Sequence, residues 1–237
     1  MGSDITRVLD RVTLLPFAAG QYVRVFEPRY GSVLQSNPNA TGRLTRKHDM
    51  PRGATAAASW YIAETLRAAL MESVLRDVEP DDNGGVYLDL SQLAKCSVQW
   101  VERTTPSQVL RLEPGVRRHV VHPKNAALNQ RWEAIIGDTL YELTHTMAGL
   151  VQLQCLAETP SVIVPGISFR SRVAPADIVY VMYEPPLASS EWTPIGTAIS
   201  LASLEGQQLL RDVLAGLEMV WLNDPAKSGG TPPQGAV

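Results

Sequence analysis

The chain has 237 residues, a formal net charge of −3, and 45% hydrophobic and 19% charged residues, which is typical of a globular protein. A chain of this length buries roughly 70% of the surface that its unfolded form exposes, so one large domain is expected. The acidic balance argues against a nucleic-acid-binding protein, which usually presents a basic face. No apolar stretch approaches the roughly 18 residues that span a bilayer, and no secretory signal precedes Cys96 and Cys155. We therefore expect a soluble cytoplasmic protein with reduced cysteines.

The N-terminal part predicts one strand and a long loop. Residues 21–26 alternate aromatic and β-branched residues at period two, which indicates a strand with Arg24 on the face opposite Val23 and Val25. Residues 28–53 are rich in Pro, Gly, Asn and Ser and predict an irregular loop. Loops of this length inside a domain are often functional.

A strand followed by a helix is predicted next. The apolar run 56–63 indicates the strand, and apolar residues at helical spacing over 64–77 indicate the helix. Thr65 or an earlier polar residue would cap this helix. The segment 80–85, of sequence Pro-Asp-Asp-Asn-Gly-Gly, then breaks the chain.

The remaining elements favour an α+β fold. Helices are predicted over 125–156, with an interruption near Gly137, and over 204–222. Strands are predicted over 86–90, 98–101, 109–112, 162–164 and 178–183. Strands lie towards both ends of the chain without a regular βαβ alternation, which favours α+β over a doubly wound fold.

Several familiar catalytic motifs are absent from the sequence. It contains neither a G-x-G-x-x-G nor a G-x-x-x-x-G-K-[ST] phosphate loop, and neither a C-x-x-C nor an H-E-x-x-H metal motif. We expect no metal cofactor. The segment 166–170 approaches the nucleophile elbow G-x-S-x-G, but Arg170 replaces the second glycine, and its side chain would obstruct the sharp turn that the elbow needs.

Four segments in order carry a more specific signal. They are Tyr22-Val23-Arg24-Val25, Gly42-Arg43, the block 60–72 of sequence WYIAETLRAALME, and the block 166–172 of sequence GISFRSR. This order resembles the RES family, named for an arginine, a glutamate and a serine. The resemblance spans roughly residues 20–185.

The resemblance assigns a site residue by residue. The family's arginine corresponds to Arg43, its glutamate to Glu72 and its serine to Ser171, with Arg24 and Tyr61 as accessory residues. Leu44 and Thr45 stand where the family has Trp or Phe followed by Asn, so Arg46 and Arg52 remain alternatives to Arg43.

The resemblance also implies a fold and a chemistry. It implies an ADP-ribosyltransferase-like split β-sheet with flanking helices, in one domain over residues 1–222 followed by a flexible tail over 223–237. RES proteins are toxins of toxin–antitoxin pairs and consume NAD. The implied ligands are NAD as substrate, inorganic phosphate as one acceptor, and a cognate antitoxin protein, with no membrane and no direct nucleic-acid partner.

The residue types suit cleavage of the nicotinamide–ribose bond. Arg24 and Arg43 would hold the pyrophosphate, because guanidinium groups bind phosphate oxygens bidentately and stay charged. Glu72 would bind a ribose hydroxyl and stabilise an oxocarbenium-like transition state. Tyr61 would stack on the nicotinamide, and Ser171 would orient the ribose or the carboxamide.

Three functions remain open at this point. Phosphorolysis or hydrolysis of NAD leads, because no segment resembles a dedicated protein-substrate loop. Mono-ADP-ribosylation of a protein and a catalytically silent binding module are the alternatives, the second motivated by Leu44-Thr45. Each residue also has a purely structural interpretation; Glu72, for example, would pair with Arg76 across one helical turn.

Overall fold

The computed structural model describes residues 7–40, 42, 44–46, 50–112, 124–137, 141–162, 164–171, 176–186 and 189–226. Arg43 and most of the predicted tail lie outside these residues. Of the helices in the described ranges, none is both long enough and apolar enough to cross a membrane.

Most of the described strands form one eight-stranded mixed sheet. They are β1 (Leu14–Phe17), β2 (Gly20–Phe26), β3 (Ala58–Ala63), β5 (Ser97–Arg103), β6 (Ser107–Arg111), β7 (Gly166–Arg170), β8 (Ile178–Glu184) and β9 (Trp192–Ser200). Their order is β1-β6-β7-β8-β3-β2-β5-β9, and β6–β7 is a parallel pair among antiparallel ones. The short strands β4 (Gly85–Val86) and β10 (Val220–Trp221) pair separately in parallel.

Five α-helices accompany the sheet in the described part of the chain. They are α1 (Leu66–Met71), α2 (Leu90–Leu93), α3 (Ala126–Gly137), α4 (Tyr141–Glu158) and α5 (Leu204–Gly216). The α+β class predicted from the sequence is confirmed. The helix predicted over 125–156 corresponds to α3 and α4, and the predicted interruption near Gly137 falls on residues 138–140, outside the described residues.

The sheet opens between β2 and β3. All seven residues of β2 pair with β5, and all six residues of β3 pair with β8. Within the described residues, β2 and β3 pair with each other at one position, Val23 with Ala63. Away from this residue pair, the edge of β3 is paired with the loop that follows β2. There Asn37 and Ser59 exchange two backbone hydrogen bonds of 3.0 and 3.1 Å.

Each face of the sheet carries a separate hydrophobic core. The larger core is mainly aliphatic and packs α1, α4 and α5 against the face that holds Val23 and Val181. The smaller core is aromatic, with ring centroids 4.8–6.1 Å apart. Its ring members are Phe17, Tyr22, Trp60, Tyr180 and Trp192.

The helix predicted over 64–77 is shorter than expected. Thr65 caps it as predicted, accepting a hydrogen bond from the Ala68 amide, but α1 ends at Met71. The Ser73 hydroxyl donates to the Ala69 carbonyl at 2.6 Å, in the place of a main-chain amide. Side chains of this type compete with the helical ladder, and turns follow.

The strand predicted over 86–90 is also wrong for most of its length. β4 ends at Val86, and Asp89 begins a helix instead, because its carboxylate accepts from the amides of Ser91 and Gln92. Aspartate is a preferred N-cap residue. Leu88 forms hydrogen bonds with the side chain of Asn223 rather than with a strand.

Two further boundaries differ from the sequence prediction. The strand predicted over 162–164 begins at Gly166 instead. The residue before it, Pro165, has no amide hydrogen to donate to a neighbouring strand. Ile163 lies outside the described residues. The helix predicted over 204–222 ends at Gly216. There Glu218 takes a left-handed conformation (φ 58°) and Met219 donates to the Leu214 carbonyl, which is a Schellman stop.

Candidate functional site

A cleft of about 220 Å³ lies where β2 and β3 diverge. The end of β2, the turn that follows it, β3 and the loop around Asn37 form its walls. Arg24 and Tyr61, two of the residues singled out in the sequence, both line it. Glu27 lines it as well, and its carboxylate pairs with Arg29 at 2.7 Å.

Arg24 brings a buried positive charge to this cleft. The residue is 6% exposed, its guanidinium lies 4.9 Å from the ring centroid of Trp60, and one nitrogen donates to the Val33 carbonyl. It therefore stacks on the aromatic core, opposite Val23, as the strand period predicts. Burial lowers the pKa of Arg24 to about 9. Among the described residues no carboxylate pairs with it, so the arrangement suits an anion.

Tyr61 and Glu72 line the same small space beside the cleft. A small cavity of about 30 Å³ adjoins it, and Val25, Tyr61 and Ser73 line both spaces. Glu72, the residue directly after α1, lines the small cavity. Arg76 contacts the main-chain carbonyl of Glu72, so the expected pairing of the two side chains across a helical turn is wrong. Within the described part of the chain the Glu72 carboxylate forms no ion pair.

The loop that carries Arg43 lies against Tyr61. A Cβ added to Gly42 would lie 2.7 Å from the Tyr61 hydroxyl oxygen, so only glycine fits there without movement. The Gly42 carbonyl accepts from the Thr45 hydroxyl at 2.9 Å and lies 3.0 Å from His145 Nε2. Arg43 itself is outside the described residues, but Gly42, the residue before it, packs against Tyr61 next to the cleft.

The two alternatives to Arg43 lie elsewhere. Arg46 is buried and stacks on Tyr183, 4.1 Å from the ring centroid, and it lines a different cavity. Arg52 is exposed in a turn. Neither residue lines the cleft that contains Arg24 and Tyr61.

Ser171 lies apart from Tyr61 and Glu72. It is buried directly after β7, and its amide donates to the Asp177 carbonyl at 3.1 Å. The Asp177 carboxylate accepts two hydrogen bonds from Arg67, at 2.8 and 3.0 Å, near the start of α1. Glu72 is at the other end of this six-residue helix, roughly 9 Å along its axis. Ser171 lines neither the cleft nor the small cavity.

The serine-hydrolase geometry is not present at Ser168, the other serine of the segment 166–172. Ser168 is fully buried in the middle of β7, and the Leu112 amide donates to its carbonyl at 2.8 Å. The strand continues through Arg170, whereas a nucleophile elbow needs a strand-to-helix turn at the serine. Cys96 and Cys155 are both free thiols.

Three residues that contribute to the site were not predicted. Trp60 stacks on Arg24, Asn37 pairs with β3, and His145 contacts the Gly42 carbonyl. His145 and Gly42 are 103 positions apart, and no spacing rule connects them. Trp60 is adjacent to Tyr61 in one apolar run, and strand alternation places the two rings on opposite faces.

Comparison of the chain with models of known protein families finds no match, and comparison with curated proteins finds none either. Its function is therefore inferred from the motif order and from the geometry around the cleft.

Proposed function

We propose that this chain is a RES-like enzyme that consumes NAD by cleaving the bond between nicotinamide and ribose. The observation that carries the proposal is that Tyr61 and Glu72 line one small cavity where β2 and β3 diverge, beside a cleft that contains Arg24, which is buried and pairs with no carboxylate of the described residues. The order of Arg24, Gly42-Arg43, Tyr61, Glu72 and Ser171 in the sequence supports the same conclusion.

The opening between β2 and β3 favours a split-sheet fold of the ADP-ribosyltransferase type. One residue pair joins the two strands, so the sheet consists of a β2-β5-β9 part and a five-stranded part. Strands that diverge leave main-chain donors and acceptors at their inner edges, where a ligand can bind.

Two arginines would bind the pyrophosphate of NAD. Arg24 supplies a charge already removed from water, and an anion within hydrogen-bond distance offsets that cost. Gly42 holds the start of the Arg43 loop against Tyr61, which would bring a second guanidinium to the same edge. Tyr61 would stack on the nicotinamide through its ring face.

Glu72 would stabilise the positive charge that develops on the ribose during cleavage. As the glycosidic carbon–nitrogen bond breaks, its electron pair moves to the nicotinamide nitrogen, and positive charge develops on the ribose. A carboxylate next to the sugar stabilises that charge. An oxygen of phosphate or water then bonds to the ribose carbon, and an attacking water releases its proton to solvent. Glu72 suits this role because its carboxylate forms no ion pair within the described residues.

Ser171 enters the proposal through the motif alone. Its position near Asp177, at the opposite end of α1 from Glu72, favours a role in positioning α1 rather than direct contact with the ribose.

Loss of cellular NAD would harm the cell that makes the protein. A neutralising antitoxin partner therefore belongs to the proposal.

Product analysis tests the proposal and identifies the acceptor. Purified full-length protein is incubated with NAD, with and without inorganic phosphate, and with and without lysate proteins. Nicotinamide together with ADP-ribose 1-phosphate indicates phosphorolysis, and nicotinamide with ADP-ribose indicates hydrolysis. Label transferred from NAD to lysate proteins would reassign the enzyme to mono-ADP-ribosylation. Unchanged NAD in every mixture would overturn the proposal and leave a module that binds without reacting.

A further inference from the structure

A second cavity, of about 280 Å³, has no part in the NAD site. It lies between α4, strands β6 and β7, and the Pro185-Pro186 segment after β8. Among the described residues, none lines both this cavity and the cleft or the small cavity. Most of its described lining is aliphatic or proline, with Leu110, Ala148, Val151, Val162, Val164 and Ile167 among the aliphatic members.

Among the described residues that line this cavity, Arg46 has the one charged side chain. Arg46 is 4% exposed and stacks on Tyr183, and one nitrogen donates to the Pro185 carbonyl at 3.1 Å. Its Nε atom is buried without a hydrogen-bond partner. Among the described residues no carboxylate pairs with the guanidinium.

Cys155 and Tyr183, the other titratable groups among the described lining residues, supply no negative charge. Burial raises the pKa of Cys155 to about 12, and burial likewise raises the pKa of Tyr183 despite the nearby Arg46. Both groups are therefore neutral near pH 7. Burial lowers the pKa of Arg46, which is the expected response of a cation that has left water without a counter-charge. As far as the described residues form it, the cavity combines mainly apolar walls with one positive charge, on Arg46, that no carboxylate balances.

We propose that this cavity binds a small carboxylate with an apolar body, of the size of a medium-chain fatty acid. The carboxylate would bond to the guanidinium of Arg46, since charge-assisted bonds of this type are the strongest available to it. The apolar body would pack against Ala148, Val151 and Ile167. An apolar cavity of about 150 Å³ holds a benzene molecule, so the larger space here accommodates a chain of several more carbon atoms.

Titration calorimetry with full-length protein tests the proposal, with octanoate as the probe and octanol as its neutral match. We expect octanoate to bind about tenfold more tightly or better, which corresponds to roughly 1.4 kcal/mol. The Arg46→Met variant, which keeps most of the side-chain volume, should lose this preference and bind both compounds alike. The Val164→Phe variant, which narrows the cavity, should weaken binding of both.

The outcomes separate clearly. Equal binding of octanoate and octanol by the unaltered protein would overturn the proposal, as would no binding of either. Octanoate binding that survives in folded Arg46→Met protein would place the ligand elsewhere and overturn it too. The unaltered protein decides the first two outcomes, so they stand even if a variant fails to fold.

Discussion

The buried arginines divide into two kinds by their partners. Arg103 is 2% exposed and belongs to the aromatic core, and Glu191 neutralises it at 2.6 Å. Arg24 and Arg46 are buried to a similar degree and also stack on aromatic rings, yet neither pairs with a carboxylate in the described part of the chain. Each of these two lines a cavity. An arginine buried without a counter-charge beside open space is better explained by an anionic ligand than by packing.

Inorganic pyrophosphate should therefore stabilise the protein through Arg24. A ligand at about 100 times its dissociation constant adds roughly 2.7 kcal/mol to the free energy of unfolding. We expect a matching rise in melting temperature that disappears in Arg24→Met. Arg52→Met is the control, because Arg52 is exposed in a turn and should leave the rise unchanged. Equal stabilisation of Arg24→Met and the unaltered protein would refute an anion site at Arg24.

Replacement of Gly42 by alanine should disturb Tyr61. The added Cβ would lie 2.7 Å from the tyrosine hydroxyl oxygen, so the ring or the loop must shift. Overpacking of this type costs about 1–3 kcal/mol, and we expect a loss of unfolding free energy in that range together with slower NAD cleavage.

Gly216→Ala is the matched control for that substitution. Gly216 ends α5, and an added Cβ there meets nothing within 4 Å. This variant should be neutral or gain up to about 1 kcal/mol, because alanine has the higher helix propensity. If urea denaturation shows the same stability for Gly42→Ala and Gly216→Ala, the packing of Gly42 on Tyr61 is not as described.

At the scale of the element, the short helix α1 links the two ends of the site. Thr65 accepts a hydrogen bond from the Ala68 amide at 3.0 Å and donates one to Asp177 at 3.2 Å. Replacement of an N-cap threonine by alanine typically costs about 1 kcal/mol. We expect Thr65→Ala to lose this amount in chemical denaturation, while Thr65→Ser, which keeps the hydroxyl, loses much less. Equal losses in both variants would show that the methyl group of Thr65, not its hydrogen bonds, stabilises the helix.

Strands in the middle of the sheet could be predicted from the sequence, and strands at its edges could not. β2 and β8 have clear apolar runs that tertiary packing reinforces on both faces. β1 and β9 lie at the two ends of the sheet and were not predicted. Both contain a proline, Pro16 and Pro194, which argues against a strand in general but is tolerated at a sheet edge.

At the scale of the whole molecule, the fold class followed from the order of elements, but the neighbours of each strand did not. The sheet joins β1 to β6, whose paired residues are 90–96 positions apart, and β2 to β5, whose paired residues are 71–83 positions apart. The opening between β2 and β3 depends on Asn37 pairing with Ser59 from within an irregular loop. Local periodicity contains no information about such contacts. The sequence could therefore provide Tyr61 and Glu72 through a motif, but not the cleft beside them.

The buried core should make the protein sensitive to alkaline pH. Burial raises the pKa of Tyr22 from 10.0 to about 12, with Glu64 adding to the shift. Above pH 10 the unfolded chain loses this proton before the folded chain does, so the stability present below pH 10 falls as the pH rises towards 12. We expect a shallower fall in Tyr22→Phe over this range, measured by urea denaturation. Identical slopes for the two proteins would mean that Tyr22 does not contribute.

The most direct test of the central claim compares NAD cleavage by the unaltered protein and by Glu72→Gln, with the unfolding transition of each as a control for folding. The substitution keeps the size of the side chain and removes the charge that would stabilise the developing cation. Loss of one such group costs about 10²–10³ in rate, and we expect a fall of that size in kcat with little change in stability. Equal rates of NAD loss in the two folded proteins would contradict a catalytic role for Glu72 and the proposed site with it.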